Sequence, residues 1–501
     1  MFNQEGNDIG SFPFKSVGGY YGSPAVADLD GNGDLEIIVA SQNGNLYAFN
    51  HDGSVFFVRE GIIALGGSGG VENIASPVIS DLDNDGDVEI IILGKQQGAQ
   101  MRFILNSDGS NYLAPVSSHN NSILDGTPAV GNIYGDANKE IAYTSSSYLD
   151  LYNEVHVIGL NNQNNNGFPT QGDWPYFSFP HMSSISLWDG VNEEDDHSEL
   201  FFGFAGEVYS LSNTAEGLSD AFPLGSANSL TMAQPIITDL EGDGSKEMIY
   251  TQGGIYVWSL ADALNPTLKF YVSGSNFVGP YGAIDGAIVG DITGDGKQEI
   301  IVRDSYPSTY IYAFDATGNL VPSYPKTTGH PYGITPLYED VESDGWANVI
   351  STAGGNLYNL NHIGVPPLSS WPKWYHDNQN TNNVDQSSYV CGNIDNDAMG
   401  AVNIADLTWF INFIWKGGPQ PPDLRTANID GDQEGALNVA DLVWLVNYLF
   451  KGGPEPLCST PGTLVFSDLT NTEEQQTYIN QYVNLTEYIE SKSDIELEPI
   501  Q

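Results

Sequence analysis

The sequence predicts a mainly β protein: a seven-bladed β-propeller followed by a small α-helical module and a short tail. Three observations predict this architecture. A segment with an apolar run, an acidic loop and a β-branched run recurs seven times, at intervals of about 50 residues, as propeller blades do. Each copy divides into short apolar runs bounded by turn residues, as four short strands would. No 3.6-residue apolar period runs through the copies, which excludes a helical solenoid.

The predicted domains are residues 1–385 for the propeller, 391–458 for the module and 459–501 for an acidic tail with an amphipathic helix. An N-terminal strand is expected to complete the last blade and close the ring, because residues 10–15 resemble the outer-strand segment 318–326. The stretch 363–372 competes for that place.

The charge balance limits the possible partners. The chain of 501 residues has 15 Lys and Arg against 64 Asp and Glu, a formal net charge of −49. Such a surface repels phosphate backbones and anionic lipid headgroups, so neither nucleic-acid binding nor membrane insertion is expected. No apolar run has the length of a membrane span, and the first residues lack the basic and apolar regions of a signal peptide.

The two cysteines indicate an oxidising compartment. Cys391 and Cys458 bracket the module, a pattern that predicts a disulfide closing it. Two free buried thiols are the alternative. We therefore expect an extracellular or cell-surface protein.

Each acidic loop has the pattern of a metal site. In the first loop, Asp28, Asp30, Asn32 and Glu36 occupy positions one, three, five and nine, and Gly33 occupies position six. Oxygen atoms at alternate positions of a tight loop converge on one point, glycine permits the sharp turn, and position seven can add a backbone carbonyl. An all-oxygen site with several anionic ligands favours Ca²⁺ over Mg²⁺.

Five loops keep this register, which favours calcium sites over solvated acidic turns, and about five calcium ions are expected in the propeller. The third loop, from Asn132, lacks two carboxylates and the glycine, and the fourth, from Asp189 to Glu199, has an insertion; both are predicted to be empty or weak. The predicted ligands in the five loops are Asp28, Asp30, Asn32, Asp34 and Glu36; Asp81, Asp83, Asp85, Asp87 and Glu89; Asp239, Glu241, Asp243 and Glu247; Asp291, Thr293, Asp295 and Glu299; and Asp340, Glu342, Asp344 and Asn348.

The DxDxDGxxE loops, and the segment WPKWYHDN from Trp371 to Asn378, resemble the FG-GAP/VCBS-type propeller repeats of integrin α heads and many bacterial propellers. The resemblance covers about residues 8–385. It implies a calcium-stabilised platform for adhesion, ligand binding or assembly, and it does not imply catalysis.

The module contains a tandem duplication. The segments NIDNDAMGAVNIADL from Asn393 and NIDGDQEGALNVADL from Asn428 each place alternate oxygen ligands before a helix, as EF-hands do. The pair resembles a type I dockerin, and up to two calcium ions are expected. Both loops have two extra residues, and the positions that dockerins use to recognise cohesins are Ile404-Ala405 and Val439-Ala440, so a partner other than a cohesin is expected. The predicted ligands are Asn393, Asp395, Asp397, Asn403 and Asp406 in one copy, and Asn428, Asp430, Asp432, Asn438 and Asp441 in the other.

Large apolar residues on the module helices, Trp409, Phe413, Trp444 and Tyr448, predict a partner-binding face. Packing of this face against the propeller or the tail is the alternative. A protein partner or neighbouring copies of the chain are the expected ligands of such a face.

We expect a non-catalytic extracellular protein that acts in adhesion, as a scaffold or as a self-assembling filament subunit. No nucleophile motif or histidine cluster is evident, and carboxylates that bind calcium are poor general bases. A secreted polysaccharide lyase or hydrolase, or a carbohydrate-binding lectin, is the alternative.

Overall fold

The structure is a computed structural model. It describes residues 20–32, 34–41, 44–62, 76–96, 99–120, 123–124, 126–135, 138–147, 152–161, 163–164, 168, 182–189, 197–204, 207–217, 233–278, 286–304, 309–329, 335–339, 348–353, 356–361, 377, 380–384, 392, 394, 402, 406–407, 409–411, 427, 429 and 439–451. The chain divides into two compact units, Met1–Gln386 and Ser387–Gln501.

Within the described residues, the first unit contains seven antiparallel sheets whose order follows the chain. In the third sheet, β9 and β10 both pair with β11. The strands of the first three sheets are β1 (Tyr20–Ala27), β2 (Glu36–Ser41), β3 (Leu46–Phe49) and β4 (Val55–Arg59); β5 (Val78–Ser80), β6 (Glu89–Gln96), β7 (Ala99–Leu105) and β8 (Asn111–Asn120); and β9 (Ile123–Leu124), β10 (Ala129–Gly131), β11 (Glu140–Ser147) and β12 (Tyr152–Ile158).

The fourth and seventh sheets have three strands each in the described part of the chain, and the fifth and sixth have four. Their strands are β13 (Ser186–Trp188), β14 (Glu199–Phe204) and β15 (Glu207–Leu211); β16 (Ile236–Thr238), β17 (Glu247–Thr251), β18 (Ile255–Ser259) and β19 (Thr267–Val272); β20 (Ile288–Gly290), β21 (Glu299–Asp304), β22 (Tyr310–Phe314) and β23 (Lys326–Thr327); and β24 (Leu337–Glu339), β25 (Asn348–Ala353) and β26 (Asn356–Asn361).

First strands of neighbouring sheets contact each other: β1 contacts β5, β5 contacts β10, β10 contacts β13, and β13 contacts β16. They therefore form the inner ring, and the seven sheets are the blades of a propeller. The predicted seven-bladed fold is confirmed. The segments predicted to close the ring, 10–15 and 363–372, lie outside the described residues.

In the described part of the first unit, the core consists of six apolar clusters, each between two successive blades. Strand β6 shows why the strand sequences are continuously apolar. Ile90 and Ile92 pack toward the first blade, whereas Ile91 and Leu93 pack toward the third. Because both faces are covered, strict alternation of apolar and polar residues is lost. Each fully buried side chain of this size contributes about 1.5–3 kcal/mol.

Hydroxyl side chains two residues before the first strands of the second, third and fourth blades connect neighbouring blades. The backbone N–H of Ser23 donates to Ser76 Oγ over 2.8 Å, that of Ser76 to Thr127 Oγ1 over 3.3 Å, and that of Thr127 to Ser184 Oγ over 3.1 Å. These bonds satisfy donors that the short inner strands leave unpaired. The Ser-Pro and Thr-Pro pairs at residues 76–77 and 127–128 therefore link the first three blades, and Ser184 links the third blade to the fourth.

A short peptide, residues 380–384, occupies the central channel. Asn380 Nδ2 donates to the carbonyl oxygens of Pro24 (3.2 Å) and Pro77 (2.9 Å) in the first and second blades. Asn382 Nδ2 donates to Pro128 O over 3.2 Å in the third blade, and Asn382 Oδ1 accepts a 2.6 Å hydrogen bond from Gln234 Nε2 in the fifth.

The same peptide, which we call the channel peptide, also pairs with the fourth blade. Asn383 forms a parallel bridge with Leu187, and the Leu187 N–H donates to Asn382 O over 2.9 Å. Residues 380–383 are almost completely buried, and Asn380 and Asn382 have φ values of 62° and 57°. Asparagine tolerates this left-handed conformation better than most residues. One peptide thus hydrogen-bonds with five blades.

The second unit contains helix α1 (Val439–Lys451), and residues 406–407 and 409–411 are also helical. Leu407, Phe410, Leu442 and Leu445 are members of its buried cluster. Trp409 and Trp444 pack against this cluster as partly buried side chains. Among the described residues, no helix combines the length and apolarity that crossing a bilayer needs.

Candidate metal centres

The acidic loops join the first strand of a blade to its second. In the first loop, Asp28 Oδ1 accepts the N–H groups of Gly31 (2.8 Å) and Asn32 (3.2 Å). Glu36 begins β2, and its Oε2 accepts the Leu29 N–H over 2.9 Å. The loop backbone therefore fixes the side chains at positions one and nine, which leaves their remaining oxygens directed into the loop.

Three carboxylates converge in the first loop: one oxygen each from Asp28, Asp30 and Glu36, all within 4.8 Å of one another. Glu36 is completely buried, and its Oε1 has no hydrogen-bond partner among the described residues. Burial raises the pKa of Glu36, and the charges of Asp30, Asp28 and Asp34 raise it further. Asp34 itself is exposed, with His51 Nδ1 3.5 Å from its Oδ2.

The second loop repeats this geometry. Asp81, Asp83 and Glu89 each bring one oxygen within 4.8 Å of the others, and Glu89 Oε2 accepts the Leu82 N–H over 2.9 Å. Tyr112 of β8 donates its hydroxyl hydrogen to Asp83 Oδ2 over 2.9 Å. Burial, together with the charges of the two aspartates, raises the pKa of Glu89 to about 7 against the lowering effect of the Leu82 N–H.

The sixth loop has the same frame with one carboxylate fewer. Asp291 Oδ2 accepts the Gly296 N–H over 2.8 Å, and Glu299 Oε2 accepts the Ile292 N–H over 2.8 Å. Thr293 donates its hydroxyl hydrogen to Glu299 Oε1 over 3.3 Å. Burial is the main cause that raises the pKa of Glu299 to about 7. The position-six glycines of the second, fifth and sixth loops have the predicted positive φ: 95° at Gly86, 89° at Gly244 and 83° at Gly296.

The fifth loop differs, because a lysine contacts its carboxylates. Lys269 of β19 donates from Nζ to Glu241 Oε1 and, over 2.8 Å, to Glu247 Oε1. Asp239 holds the loop backbone as Asp28 does, with its Oδ1 accepting the Gly242 N–H over 2.7 Å. The exposed Asp243 caps the Ser245 N–H over 2.9 Å.

The remaining loops are described in part. In the third, Asn132 Oδ1 accepts the Gly135 N–H over 2.8 Å, and Glu140 Oε2 accepts the N–H groups of Ile133 and Tyr134, each over 2.9 Å. The following predicted ligands lie outside the described residues: Asp340, Glu342, Asp344, Asn393, Asp395, Asp397, Asn403, Asn428, Asp430, Asp432 and Asn438. The two cysteines of the predicted disulfide, Cys391 and Cys458, and Phe413 of the predicted partner-binding face also lie outside them.

In the second unit, two aspartates keep equivalent contacts. Asp406 Oδ1 accepts the Ile394 N–H over 2.6 Å, and Asp441 Oδ1 accepts the Ile429 N–H over 2.9 Å. Both aspartates are completely buried, and each contact spans twelve residues. The sequence duplication therefore corresponds to a repeated local structure in the described residues.

The donor sets of the first and second loops fit a hard divalent cation. Three carboxylates lie close enough to share one ion, and backbone N–H groups hold each loop in shape. Such an ion would supply the positive charge that these carboxylates lack. Ligands at positions one, three and nine come together, whereas the position-five residues Asn32 and Asp85 are exposed and cap the following N–H groups.

Residues 28–92, which span the first two acidic loops, match the family of FG-GAP-like repeats. This part of the propeller is similar to an FG-GAP-like repeat. The resemblance expected from the DxDxDGxxE pattern is thus confirmed for this part of the chain. No curated protein matches the sequence.

Several solved structures match this chain at low sequence identity. BBS1N, in its complex with ARL6DN, is 9% identical over 70% of this chain and 95% of its own, with a TM-score of 0.44. The C-terminal domain of Pseudomonas aeruginosa PilY1 is 12% identical over 66% of this chain and 93% of its own, with a TM-score of 0.43. The V. cholerae biofilm matrix protein Bap1 is 14% identical over 70% and 78%, with a TM-score of 0.32. Likeness at this level says nothing about what this chain binds.

Proposed function

We propose that the chain is a non-catalytic extracellular propeller whose acidic loops bind calcium, and that it acts in adhesion, as a scaffold or as a self-assembling surface subunit. The buried Glu36 Oε1 supports this proposal most directly. A buried carboxylate oxygen without a hydrogen-bond partner is costly, and Glu36 lies with Asp28 and Asp30 in a group that a divalent cation would neutralise.

Calcium in these loops would stabilise contacts between blades as well as the loops themselves. The Lys139 N–H of the third blade donates to Leu82 O of the second loop over 2.9 Å. An ion that orders a loop therefore orders an acceptor for the next blade. This coupling suits a rigid platform that works where calcium is plentiful.

The second unit supports a connecting role as a dockerin-like module. Asp406 and Asp441 hold equivalent positions in the two copies, and up to two calcium ions are proposed for their loops. Trp409 and Trp444 pack in part on the module's own core, so part of their surface is already covered. The remaining surface, with Tyr448, is proposed to contact a protein partner or a neighbouring copy.

Calcium titration of two variants of the full chain tests the metal site. Glu36→Gln removes the carboxylate charge and keeps an oxygen for the Leu29 N–H, whereas Glu60→Gln removes an exposed charge outside the loop. Calorimetry should show one binding event fewer for Glu36→Gln and none fewer for Glu60→Gln. Equal calcium binding by both variants and the unaltered chain would contradict the first site.

Light scattering and electron microscopy of the full chain test the assembly role. With calcium present, we expect particles larger than one chain, and a Tyr448→Ser variant should form fewer of them. A chain that stays monomeric at all calcium concentrations would rule out self-assembly, and the adhesion and scaffold roles would remain.

A further inference from the structure

A lysine side chain brings a positive charge to the carboxylates of the fifth loop. Lys269 Nζ contacts one oxygen of Glu241 and one of Glu247, and Glu247 is 2% exposed. In the first loop the corresponding oxygen, Glu36 Oε1, has no partner among the described residues. The equivalent glutamate oxygen therefore has no hydrogen-bond partner among the described residues in the first blade, whereas in the fifth blade it bonds to an ammonium group.

A β-bulge explains how Lys269 reaches the loop. Strand β19 pairs Phe270 with Val257 and Leu268 with Trp258, so Lys269 is an extra residue between them. A bulge bends the strand and redirects the side chain of the inserted residue. The fourth strands of the first and second blades have bulges at the same place, with Phe56 and Tyr112 as the extra residues.

These three bulge residues have different chemistry. Tyr112 donates a hydrogen bond to Asp83 of its acidic loop, and Phe56 packs against the apolar cluster that includes Leu29 of its loop. Lys269 alone among the three adds a positive charge. Its ammonium group and a calcium ion would compete for the same oxygens of Glu241 and Glu247, because these oxygens cannot coordinate both at short distance.

We propose that the Lys269 ammonium replaces the metal ion in the fifth loop, so that this blade is held together without calcium. The inference rests on the proposed calcium binding of the other loops, and it revises the expectation that Asp239, Glu241, Asp243 and Glu247 bind calcium. The pKa of Lys269 is consistent with a charged ammonium group. Burial lowers this pKa, but the hydrogen bonds to Glu241 and Glu247 outweigh burial and raise it overall. The residue at the bulge thus determines whether a loop depends on metal.

Two methionine variants of the full chain test the proposal. Lys269→Met removes the ammonium group and keeps a long apolar stem. Lys451→Met, at the exposed end of helix α1 and outside the acidic loops, causes the same change in net charge and serves as the matched control. In excess chelator, the melting temperature of Lys269→Met should be lower than that of Lys451→Met by about 5 °C or more. With calcium restored, equilibrium dialysis should show one more bound ion for Lys269→Met than for the control.

Equal melting temperatures of the two variants in chelator would overturn the proposal, and so would equal calcium stoichiometry when the unaltered chain binds calcium. If the unaltered chain binds no calcium, the proposed calcium function fails by itself. The chelator comparison then decides alone whether Lys269 stabilises the fifth loop, because it requires no metal.

Discussion

The central channel and the acidic loops stabilise the same propeller by opposite means. In the channel, Asn380, Asn382 and Asn383 are buried and use neutral amides that find carbonyl partners in several blades. In the first and second loops, carboxylates lie close together, and burial raises the pKa of Glu36 and Glu89. We expect cation concentration and pH to act on only one of these two systems, the acidic loops. A change in one system that leaves the other unaltered tests this difference.

Removal of calcium should have the largest effect. Excess chelator is expected to lower the melting temperature of the full chain by on the order of 10 °C. The reason is that two ions, each at about 100 times its dissociation constant, contribute about 5 kcal/mol. Scanning calorimetry with and without chelator measures the shift, and added calcium should reverse it. An unchanged melting curve in chelator would end the calcium proposal for the loops.

Loss of one channel amide should have the next largest effect. Asn382→Ala removes the hydrogen bonds to Pro128 and Gln234 and places alanine at a φ of 57°. We expect a loss of about 3 kcal/mol, because buried polar partners are left unsatisfied. Urea unfolding should show the same loss in calcium and in chelator. Asn276→Ala, at an exposed position, is the control, and a loss that disappears in chelator would contradict the separation of the two systems.

A single loop ligand should matter less. Asp83→Ala removes one carboxylate of the second loop and the acceptor of Tyr112, and it is expected to cost about 1–3 kcal/mol in calcium. In chelator the cost should shrink, because one like charge beside Asp81 and Glu89 is gone. Asp87→Ala removes an exposed side chain but keeps the backbone carbonyl that position seven can offer to the ion, so it should leave the unfolding free energy in calcium almost unchanged. If the two variants lose equal stability in calcium, Asp83 is not a ligand.

The smallest expected effect is that of pH on the calcium-free protein. The pKa of Glu89 is about 7 in the folded chain and 4.5 as its ordinary value, so the folded state binds the extra proton between these values. The contribution of this proton to the free energy of unfolding is fully present below pH 4.5 and is lost as the pH rises through 7. In chelator, unfolding at pH 6 should therefore require about 1 kcal/mol more than at pH 8.

The matched variant for pH is Glu89→Gln, whose side-chain oxygen can still accept the Leu82 N–H. Its stability in chelator should depend less on pH than that of the unaltered chain. An equal pH dependence in both proteins would assign the effect to the overall negative charge and not to Glu89.

The repeat pattern was sufficient to predict the blades, because both the acidic loops and the β-branched runs are local in sequence. It also placed Asp28, Asp30 and Glu36 in one loop, where the structure brings their oxygens together. Lys269 and Tyr112 could not be assigned in this way, since they reach the loops through bulges about 30 residues further along the chain. When the bulges of the first, second and fifth blades are aligned, Lys269 occupies the position of Phe56 and Tyr112 and can be identified in the sequence.

The channel peptide was also missed. Its sequence, NTNNV, has the composition of a loop. Its position depends on contacts with five blades that precede it in the sequence. The only local signals are asparagines, which suit the left-handed conformation at residues 380 and 382. The Ser-Pro and Thr-Pro pairs at residues 76–77 and 127–128 are a stronger local signal, since they recur with the repeat and link the first three blades.

The channel peptide also has a mechanical consequence. A propeller whose chain leaves from an outer blade would transmit a pulling force to one strand edge, and that blade could peel away from its neighbours. Here the chain beyond Val384 is attached through residues that hydrogen-bond to five blades around the channel. We therefore expect a load on the chain beyond this point to be shared among those blades.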